Sequence, residues 1–331
     1  MNNVAILGMN CCGFGDMETT GYMHFKYIFE IKNFSYYSQQ SIIKMKTKNI
    51  ITSLLIFLTL CMIIASCEEE PDPFTPTPVI PIPQTPTGSI SGLFSVSPYL
   101  QVYFSKGNLQ YQATTNTWRF AENQYDHIGN ANSNISASYN GWIDLVGWGT
   151  GVNPTNTAAS YSAYSSFTDW GINKISNGTG SFWRTLSRDE WMYVFGNRVT
   201  PSGILYVRAQ VCGVDGIILF PDDWNRNTYP LYSINDDGAS YYSNAIDASN
   251  WANIFEKNGA VFLPANGYRS GSSVYYNETD DGYWSSSYYD YRAAYGIYFN
   301  EERLCAGCWS WRYRGESVRL VCDANNSFYN E

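Results

Sequence analysis

Short runs of alternating apolar and polar residues recur along the chain beyond residue 90. Four of them predict strands separated by polar turns: Leu93 to Val96, Leu100 to Ser105, Asn108 to Ala113 and Thr117 to Phe120. Five apolar runs nearer the C-terminus predict further strands: Ile204 to Cys212, Gly216 to Phe220, Ala260 to Leu263, Tyr295 to Phe299 and Ser317 to Cys322. The pattern predicts a domain rich in β-strands.

Two segments between those strands have the period of an amphipathic helix. Ser187 and Glu190 form a capping box, and the apolar residues that follow fall on one face. The second predicted helix runs from Ala248 to Lys257, where Asn258-Gly259 ends it. Because each helix has one apolar face, we expect both to pack on a sheet, which predicts an α+β domain.

Residues 130–177 are rich in Ser, Asn, Gly and Thr with scattered Trp and Tyr. This composition predicts long loops that aromatic side chains hold in place. Loops of this length inside a compact domain usually have a functional role.

An export signal occupies residues 45–66. Lysines precede an apolar run from Ile50 to Ala65, about 16 residues long, and a membrane span needs roughly 20. The run ends in Ile-Ala-Ser-Cys, which resembles a lipobox, so Cys67 is the predicted lipidation site and membrane anchor. Because the signal begins naturally at Met45, we expect residues 1–44 to be a misassigned upstream extension.

Residues 67–89 form an acidic and proline-rich linker. Glu68, Glu69 and Glu70 resemble the surface-export signal of lipoproteins in Bacteroidetes. Seven prolines between residues 71 and 86 predict a polyproline-type spacer, which rises ~3.1 Å per residue. We therefore expect an outer-membrane lipoprotein exposed on the cell surface, with one domain over residues 90–326.

The charge and histidine content exclude several classes of site. After residue 66 the chain has 15 Lys and Arg against 26 Asp and Glu, a net charge of −11. Nucleic-acid binding needs clustered cations, so no nucleic-acid partner is expected. His127 is the one histidine in this part, which excludes a multi-histidine metal site and argues against histidine catalysis. We expect His127 to be a polar loop or core residue.

Four cysteines remain beyond Cys67, and they allow three pairings. Export to an oxidising compartment permits disulfides. Cys305 and Cys308 supply only half of a tetrahedral zinc site, so a chance pair or a local disulfide is favoured over zinc. Cys212 and Cys322 lie in apolar runs and are predicted to be small core residues.

Five motifs between Gly141 and Asp323 resemble the Fibrobacter succinogenes major paralogous domain and its formylglycine-generating-enzyme-like relatives. They are Phe182 to Trp191, Gly216 to Trp224, Gly259 to Arg269, Gly282 to Ser287 and Ser317 to Val321. The resemblance implies a loop-rich C-type-lectin-like fold, with two helices on short twisted antiparallel sheets and paired N- and C-terminal strands.

The same fold occurs in the variable proteins of diversity-generating retroelements, several of which are surface lipoproteins. The segment matching their diversified region is Tyr288 to Arg314. Adenine mutation of Asn codons yields residue types that are frequent in this segment, such as Tyr, Ser, Asp and Arg. Trp309 and Trp311 are not reachable this way and are expected to be framework.

The resemblance also bears on chemistry. Formylglycine-generating enzymes bind copper through a cysteine pair in the region that matches Ser285 to Phe299, where this chain has no cysteine. We therefore expect no oxidase activity and no cofactor. A structural calcium ion has candidate carboxylate ligands, although solvated turn residues are the favoured interpretation. These carboxylates are Asp222, Asp223, Glu278, Asp280 and Asp281.

Tyrosines concentrate near the C-terminus. Seven lie between Tyr283 and Tyr313, against 17 in the other 211 residues from Ile90 onward. Tyr and Trp supply rigid contact area with a polar tip, as in binding surfaces. The alternative is a tyrosine-rich sheet, since aromatic residues favour strands.

These observations predict a non-catalytic lipoprotein that binds an external protein or glycan. The predicted binding residues are Tyr288, Tyr289, Asp290, Tyr291, Arg292, Arg312, Tyr313 and Arg314. Because alternate strand residues point to opposite faces, half of these are expected in the core. The first alternative is a structural or fimbria-like surface subunit, and the second is a formylglycine-generating-type oxidase.

Overall fold

The structure, a computed structural model, describes residues 85–179, 182–276, 281–300 and 302–324. Contacts divide the chain into two units, Met1–Val79 and Ile80–Glu331, and the described residues belong to the second. The predicted signal, the lipidation site Cys67 and most of the linker lie outside the described residues. Within the described residues, no helix is long and apolar enough to span a membrane.

The described residues form sixteen strands. They are β1 (Ser89–Ser97), β2 (Leu100–Ser105), β3 (Leu109–Gln112), β4 (Thr117–Phe120), β5 (Trp142–Ile143), β6 (Trp183–Thr185), β7 (Tyr206–Val211), β8 (Val214–Leu219), β9 (Ala245–Ile246), β10 (Val261–Pro264), β11 (Tyr268–Ser270), β12 (Ser273–Tyr275), β13 (Asp281–Tyr288), β14 (Ala293–Phe299), β15 (Leu304–Trp311) and β16 (Leu320–Asp323).

These strands make five small sheets. Their orders are β1-β2-β16-β6, β10-β8-β7-β9, β4-β3-β5, β13-β14-β15 and β11-β12. The first sheet joins the two ends of the domain, because β16 pairs antiparallel with β2 on one side and β6 on the other. Neighbouring strands are antiparallel except β7 and β9, which are parallel.

Two helical segments occur at the predicted positions. The helix α1 (Arg188–Met192) continues as a π-helical turn, Tyr193–Asn197. The helix α2 (Ala248–Asn250) continues through a second π-helical turn, Trp251–Phe255, and a 3-10 turn, Glu256–Asn258. Further 3-10 turns are Gly129–Asn134, Tyr161–Tyr164, Trp170–Ile172 and Tyr241–Ser243.

The start of α1 and the end of the α2 segment both follow from the sequence. The predicted capping box is confirmed, because the Ser187 hydroxyl accepts from the Glu190 N–H and the Glu190 carboxylate accepts from the Ser187 N–H. Gly259 ends the second segment in the left-handed region, at φ 81°, which glycine adopts without steric cost.

The expected α+β, C-type-lectin-like fold is wrong. The described chain is mostly β, with 37% in strands and 16% in helix. The periodic segments fold as helical turns at their predicted places, but the regular α-helix covers only Arg188–Met192 and Ala248–Asn250. Several strands of two to four residues, such as β5 and β9, are also too short to produce a recognisable alternation.

The main core lies between the first sheet, α1 and the sheet β13-β14-β15. Trp191 and Val194 of the α1 segment are fully buried, and they pack with Ile297 and Phe299 of β14. A second cluster packs against the opposite face of that sheet, through Trp284 and Ala294 among others. A third cluster buries the apolar face of the α2 segment against β8 and β10.

Candidate functional site

A bulge in β15 decides which residues of this strand reach the surface. Tyr298 pairs with Cys305 and Gly296 pairs with Cys308, so two residues of β15 lie opposite Ile297 of β14. One extra residue reverses the direction in which every later side chain points. Trp309 therefore pairs with Tyr295 and lies on the same face of the sheet.

A disulfide spans this bulge. Cys305 and Cys308 are bonded, with their Cα atoms 5.6 Å apart. The local disulfide was one of the two alternatives that the sequence favoured over zinc. Residues three apart in a regular strand point to opposite faces, but the bulge brings both cysteines to one side.

Seven aromatic rings form a connected surface, which we call the aromatic face: Tyr161, Tyr289, Tyr291, Tyr295, Trp309, Trp311 and Tyr313. Tyr289 stacks on Trp309, with centroids 5.6 Å apart and ring planes 6° apart. The other contacts join neighbours at centroid distances of 5.0 to 6.5 Å. Tyr289, Tyr291 and Trp309 are 43%, 68% and 45% exposed.

The helix α1 covers one end of one face of the sheet β13-β14-β15. The aromatic face lies at the other, uncovered end of the same side. Ile297 and Phe299 lie in the core beneath the α1 segment, whereas Tyr295, two residues before Ile297, is only half-buried. The guanidinium of Arg188, the first residue of α1, lies 4.7 Å from the centroid of the Tyr295 ring. Arg188 thus marks the boundary between the covered and the exposed part.

The turn between β13 and β14 presents two of the tyrosines. The Asp290 carboxylate accepts from the N–H groups of Arg292 and Ala293, both at 2.8 Å. Desolvation acts to raise the pKa of Asp290, but these two hydrogen bonds hold it below its usual value. Asp290 therefore organises the turn that exposes Tyr289 and Tyr291.

Arg292 supplies positive charge to the aromatic face. Its guanidinium lies 5.1 Å from the Tyr291 ring centroid and 5.6 Å from that of Trp311. It also lies 3.5 Å from the Asp290 carboxylate, with both side chains partly exposed. Such contacts of a cation with ring faces are attractive, and they hold the positive charge beside the exposed rings.

Arg312 lies beneath the surface, unlike the other predicted arginines. It is 1% exposed, and its guanidinium donates to the carbonyls of Ala293 and Tyr164 at 3.1 Å. Its Cζ lies 4.6 Å from the ring centroids of both Trp148 and Tyr288. Burial lowers the pKa of Arg312, and the residue supports Tyr288, which is 59% exposed, from below.

The last two predicted binding residues, Tyr313 and Arg314, lie at the margin of the aromatic face or beyond it. Tyr313 is half-buried and contacts Tyr161 at 5.5 Å. Arg314 lies 4.3 Å from the ring centroid of Tyr268, whose ring stacks on Tyr275 at 5.0 Å. The structure therefore brings together Tyr289, Tyr291, Arg292 and Tyr313, and it places Arg314 beside a separate pair of tyrosines.

Sequence reasoning missed three parts of the site. Trp309 and Trp311 were not among the predicted binding residues, yet they form the centre of the aromatic face. Tyr161 comes from the long loop of residues 130–177, where the only signal was the scatter of aromatic residues among small polar ones. Arg188 lies in a helix whose sequence indicated only its capping box.

Two of the carboxylates considered for calcium have other partners, and a third, Asp223, is exposed. The Asp222 carboxylate accepts from Arg198 at 2.9 Å and from Ser95 and Gln101. Asp281 accepts from the Gly267 N–H. Glu278 and Asp280 lie outside the described residues, within which no group of three or more His, Cys, Asp and Glu could hold a metal ion.

The other singled-out residues have plain structural positions. His127 is exposed in a loop, one of the two positions predicted for it. Cys322 is a buried free thiol, as predicted, and burial, aided by Asp323, raises its pKa to about 12. Cys212 is only half-buried, because it occupies the turn between β7 and β8 at φ 52°.

The geometry of the aromatic face is that of a contact surface with rigid rings, guanidinium groups and a turn held by its own carboxylate. In comparisons with known proteins, the chain matches no protein-family model, no curated protein and no solved structure.

Proposed function

We propose that this protein is a surface-anchored lipoprotein that binds an external protein or glycan through the aromatic face, without catalysis. The observation that carries the proposal is the set of seven contacting rings, three of which are more than 40% exposed. Trp, Tyr and Arg are the residues that dominate binding energy at protein interfaces.

The rigid arrangement of side chains in and around the aromatic face supports a binding role. Tyr289 and Trp309 restrict each other by stacking, so little side-chain entropy remains to be lost when a partner covers them. The buried Arg312 packs against the ring of Tyr288, and the Asp290 carboxylate fixes the turn between β13 and β14 through its two hydrogen bonds. A surface prepared in this way gives affinity through rigid contact area.

The proposed location follows from the sequence. The signal over residues 45–66, the lipidation site Cys67 and the proline-rich linker over residues 67–89 would hold the domain outside the outer membrane. An aromatic face at the end of such a linker would meet ligands of the surroundings or of other cells.

We also propose that the segment from Tyr288 to Arg314 is diversified by a retroelement. Tyr289, Tyr291 and Tyr313 would vary around the fixed anchors Trp309 and Trp311, which Asn codons cannot produce by adenine mutation. The genome tests this proposal. A reverse-transcriptase gene and a near-copy repeat of this segment should lie beside the gene, and their absence contradicts the proposal.

Array screening tests the binding function. The lipidated chain, solubilised in detergent, is applied to glycan arrays and to arrays of bacterial and host surface proteins. We expect one ligand class to be bound by the natural chain and by Tyr99→Ala, a control that changes a 94% exposed tyrosine elsewhere. Tyr289→Ala and Trp309→Ala should lose that signal, and Arg292→Ala should weaken it.

A chain that binds nothing on the arrays but assembles with itself contradicts the proposal. That result favours the alternative of a structural or fimbria-like surface subunit. Full binding by Tyr289→Ala and Trp309→Ala would show that a ligand is bound elsewhere on the domain.

A further inference from the structure

The strand β15 is an open edge of its sheet. It pairs only with β14 among the described residues. The opposite edge, β13, is covered, since Trp284 and Ser286 donate their N–H groups to the carbonyls of Ser317 and Leu186 at 3.0 and 2.9 Å. For Leu304 to Ser310, no backbone hydrogen bond to a segment other than β14 occurs within the described part of the chain.

An open edge presents unpaired N–H and C=O groups along one side, and it can accept another strand. The edge ends at Trp311 and Arg312, whose carbonyls accept from the N–H groups of Arg314 and Trp148, both at 2.9 Å. Seven residues, Leu304 to Ser310, therefore remain available in the described structure. This length suits an added strand of five or six residues.

A groove of about 520 Å³ runs between this edge and the α1 segment. Its strand side is formed by the four residues from Leu304 to Gly307, and its helix side by Met192 and Phe195. Gly307 allows the close approach of the two sides, because a Cβ atom there would lie 3.0 Å from the Met192 sulfur. The lining between the two ends is mainly apolar.

The two ends of the groove differ in charge. Arg188 lies at the start of α1, beside Gly307; one of its terminal guanidinium nitrogens pairs with Asp189 at 3.1 Å, and its buried Nε has no partner among the described residues. The pair between Arg188 and Asp189 lies at the surface, with the Asp189 side chain 87% exposed, so an acidic group of a partner can compete for this guanidinium. At the other end, Tyr206 packs on Phe195, and the Asp237 carboxylate accepts a short hydrogen bond from Tyr206.

We propose that β15 binds an extended peptide segment of another protein by strand addition, with an apolar side chain in the groove and an acidic side chain at Arg188. The backbone of the peptide would supply the hydrogen bonds that the edge lacks. The edge adjoins the aromatic face, since Trp309 lies in β15 and Arg188 contacts Tyr295, but the Met192 side of the groove lies outside that face, so the two kinds of binding can be tested separately.

The geometry predicts a sequence rule for the peptide. Side chains two apart in a strand point to the same face and are ~7 Å apart. A residue placed beside Ala306 would enter the groove, and the residue two positions along would come beside Arg188. The peptide should therefore contain an apolar-x-acidic pattern.

Amide hydrogen exchange of the natural chain tests the open edge itself. With no peptide present, the amides between Leu304 and Ser310 that face away from β14 should exchange at least about 100-fold faster than those bonded to β14, because they lack a partner. Uniform slow exchange through this segment means that the edge is covered, and it overturns the proposal.

Binding of a synthetic peptide tests whether an extended segment with the apolar-x-acidic pattern occupies the edge. The probe is the synthetic peptide Gly-Ser-Thr-Leu-Thr-Asp-Thr-Ser-Gly, and binding is followed by biolayer interferometry. Arg188→Glu should weaken this peptide about tenfold and should strengthen a peptide with Lys in place of Asp. The matched control, Arg303→Glu, changes an exposed arginine just before β15 that does not line the groove, and it should alter neither affinity.

Methylation of the peptide backbone separates strand addition from other modes. N-methylation at successive positions should abolish binding at every second residue, because only alternate peptide N–H groups face β15. Absence of binding by all peptides, or a uniform effect of methylation, overturns the proposal. A dimer of the peptide-free chain joined through β15 also overturns it, because the occupant would then be a second copy.

These outcomes are distinct from those of the array experiment. Trp309→Ala should leave peptide binding within about twofold of the natural chain, because Trp309 does not line the groove. Met192→Glu should weaken peptide binding and leave the array ligand bound.

Discussion

The disulfide between Cys305 and Cys308 spans the bulge that turns Trp309 toward solvent. Without the extra residue, the alternation of β15 would place Trp309 on the opposite face, where Trp284 and Ala294 lie in the second core cluster. The disulfide thus spans the bulge that places Trp309 on the aromatic face.

Removing this disulfide should weaken both the fold and the site. For Cys305→Ser combined with Cys308→Ser, we expect the free energy of unfolding to fall by about 2 kcal/mol, the chain-entropy value for a loop of four residues. Urea unfolding measures the change. Cys212→Ser, which alters a free thiol, is the control, and an equal effect of both variants contradicts a role of the disulfide in stability.

Arg312 and Arg314 should respond differently to the same substitution. Arg312→Lys removes the paired bonds to two carbonyls inside the protein, so we expect a loss of about 2 to 4 kcal/mol in the free energy of unfolding. Arg314→Lys changes a half-buried side chain and should stay within about 0.5 kcal/mol of the natural protein. Equal losses, measured by urea unfolding, contradict the buried position of Arg312.

Asp144 should make stability depend on pH. Burial raises its pKa, although hydrogen bonds from Asn132 and Ile128 act in the opposite direction. A raised carboxyl pKa favours the protonated folded state, so the contribution of Asp144 to stability should fall as pH rises from its unfolded pKa of about 3.9 through its folded pKa.

Asp144→Asn removes this dependence. The free energy of unfolding of the natural chain minus that of the variant should therefore decrease as pH rises from 4 to 7. Urea unfolding at several pH values measures it, and a difference that is constant or grows over this range contradicts the burial of an ionisable carboxyl at this position.

The two free thiols should differ in reactivity. Burial holds the pKa of Cys322 near 12, so iodoacetamide at pH 8 should leave it unmodified while the half-buried Cys212 reacts. Mass spectrometry of the digested protein reports each site. Cys305 and Cys308 should be labelled only after reduction, and labelling of Cys322 in the native protein would contradict its burial.

The regular strands could be predicted from the sequence, because alternation and burial agree in them. The predicted run Leu100 to Ser105 has the bounds of β2, and Thr117 to Phe120 has those of β4. The strand β15 was missed because its bulge interrupts the alternation of Leu304 to Trp311. A bulge depends on the pairing with β14, which local sequence does not reveal.

The site could be predicted only in part for a similar reason. Tyr289 and Tyr291 lie in a turn and are exposed, as their composition suggested. Arg312 was among the predicted binding residues, whereas Trp148 and Tyr164, about 150 residues earlier, bury it. Contacts at that separation also bring Tyr161 to the aromatic face, and no periodicity in the sequence reports them.

The affinity of the array ligand for single-ring variants tests the central proposal most directly. Biolayer interferometry compares the natural chain, Trp309→Ala and the control Tyr99→Ala. Loss of a central ring should weaken binding at least about tenfold, while Tyr99→Ala should leave it unchanged. Equal affinities of Trp309→Ala and the natural chain would show that the aromatic face is not the binding surface.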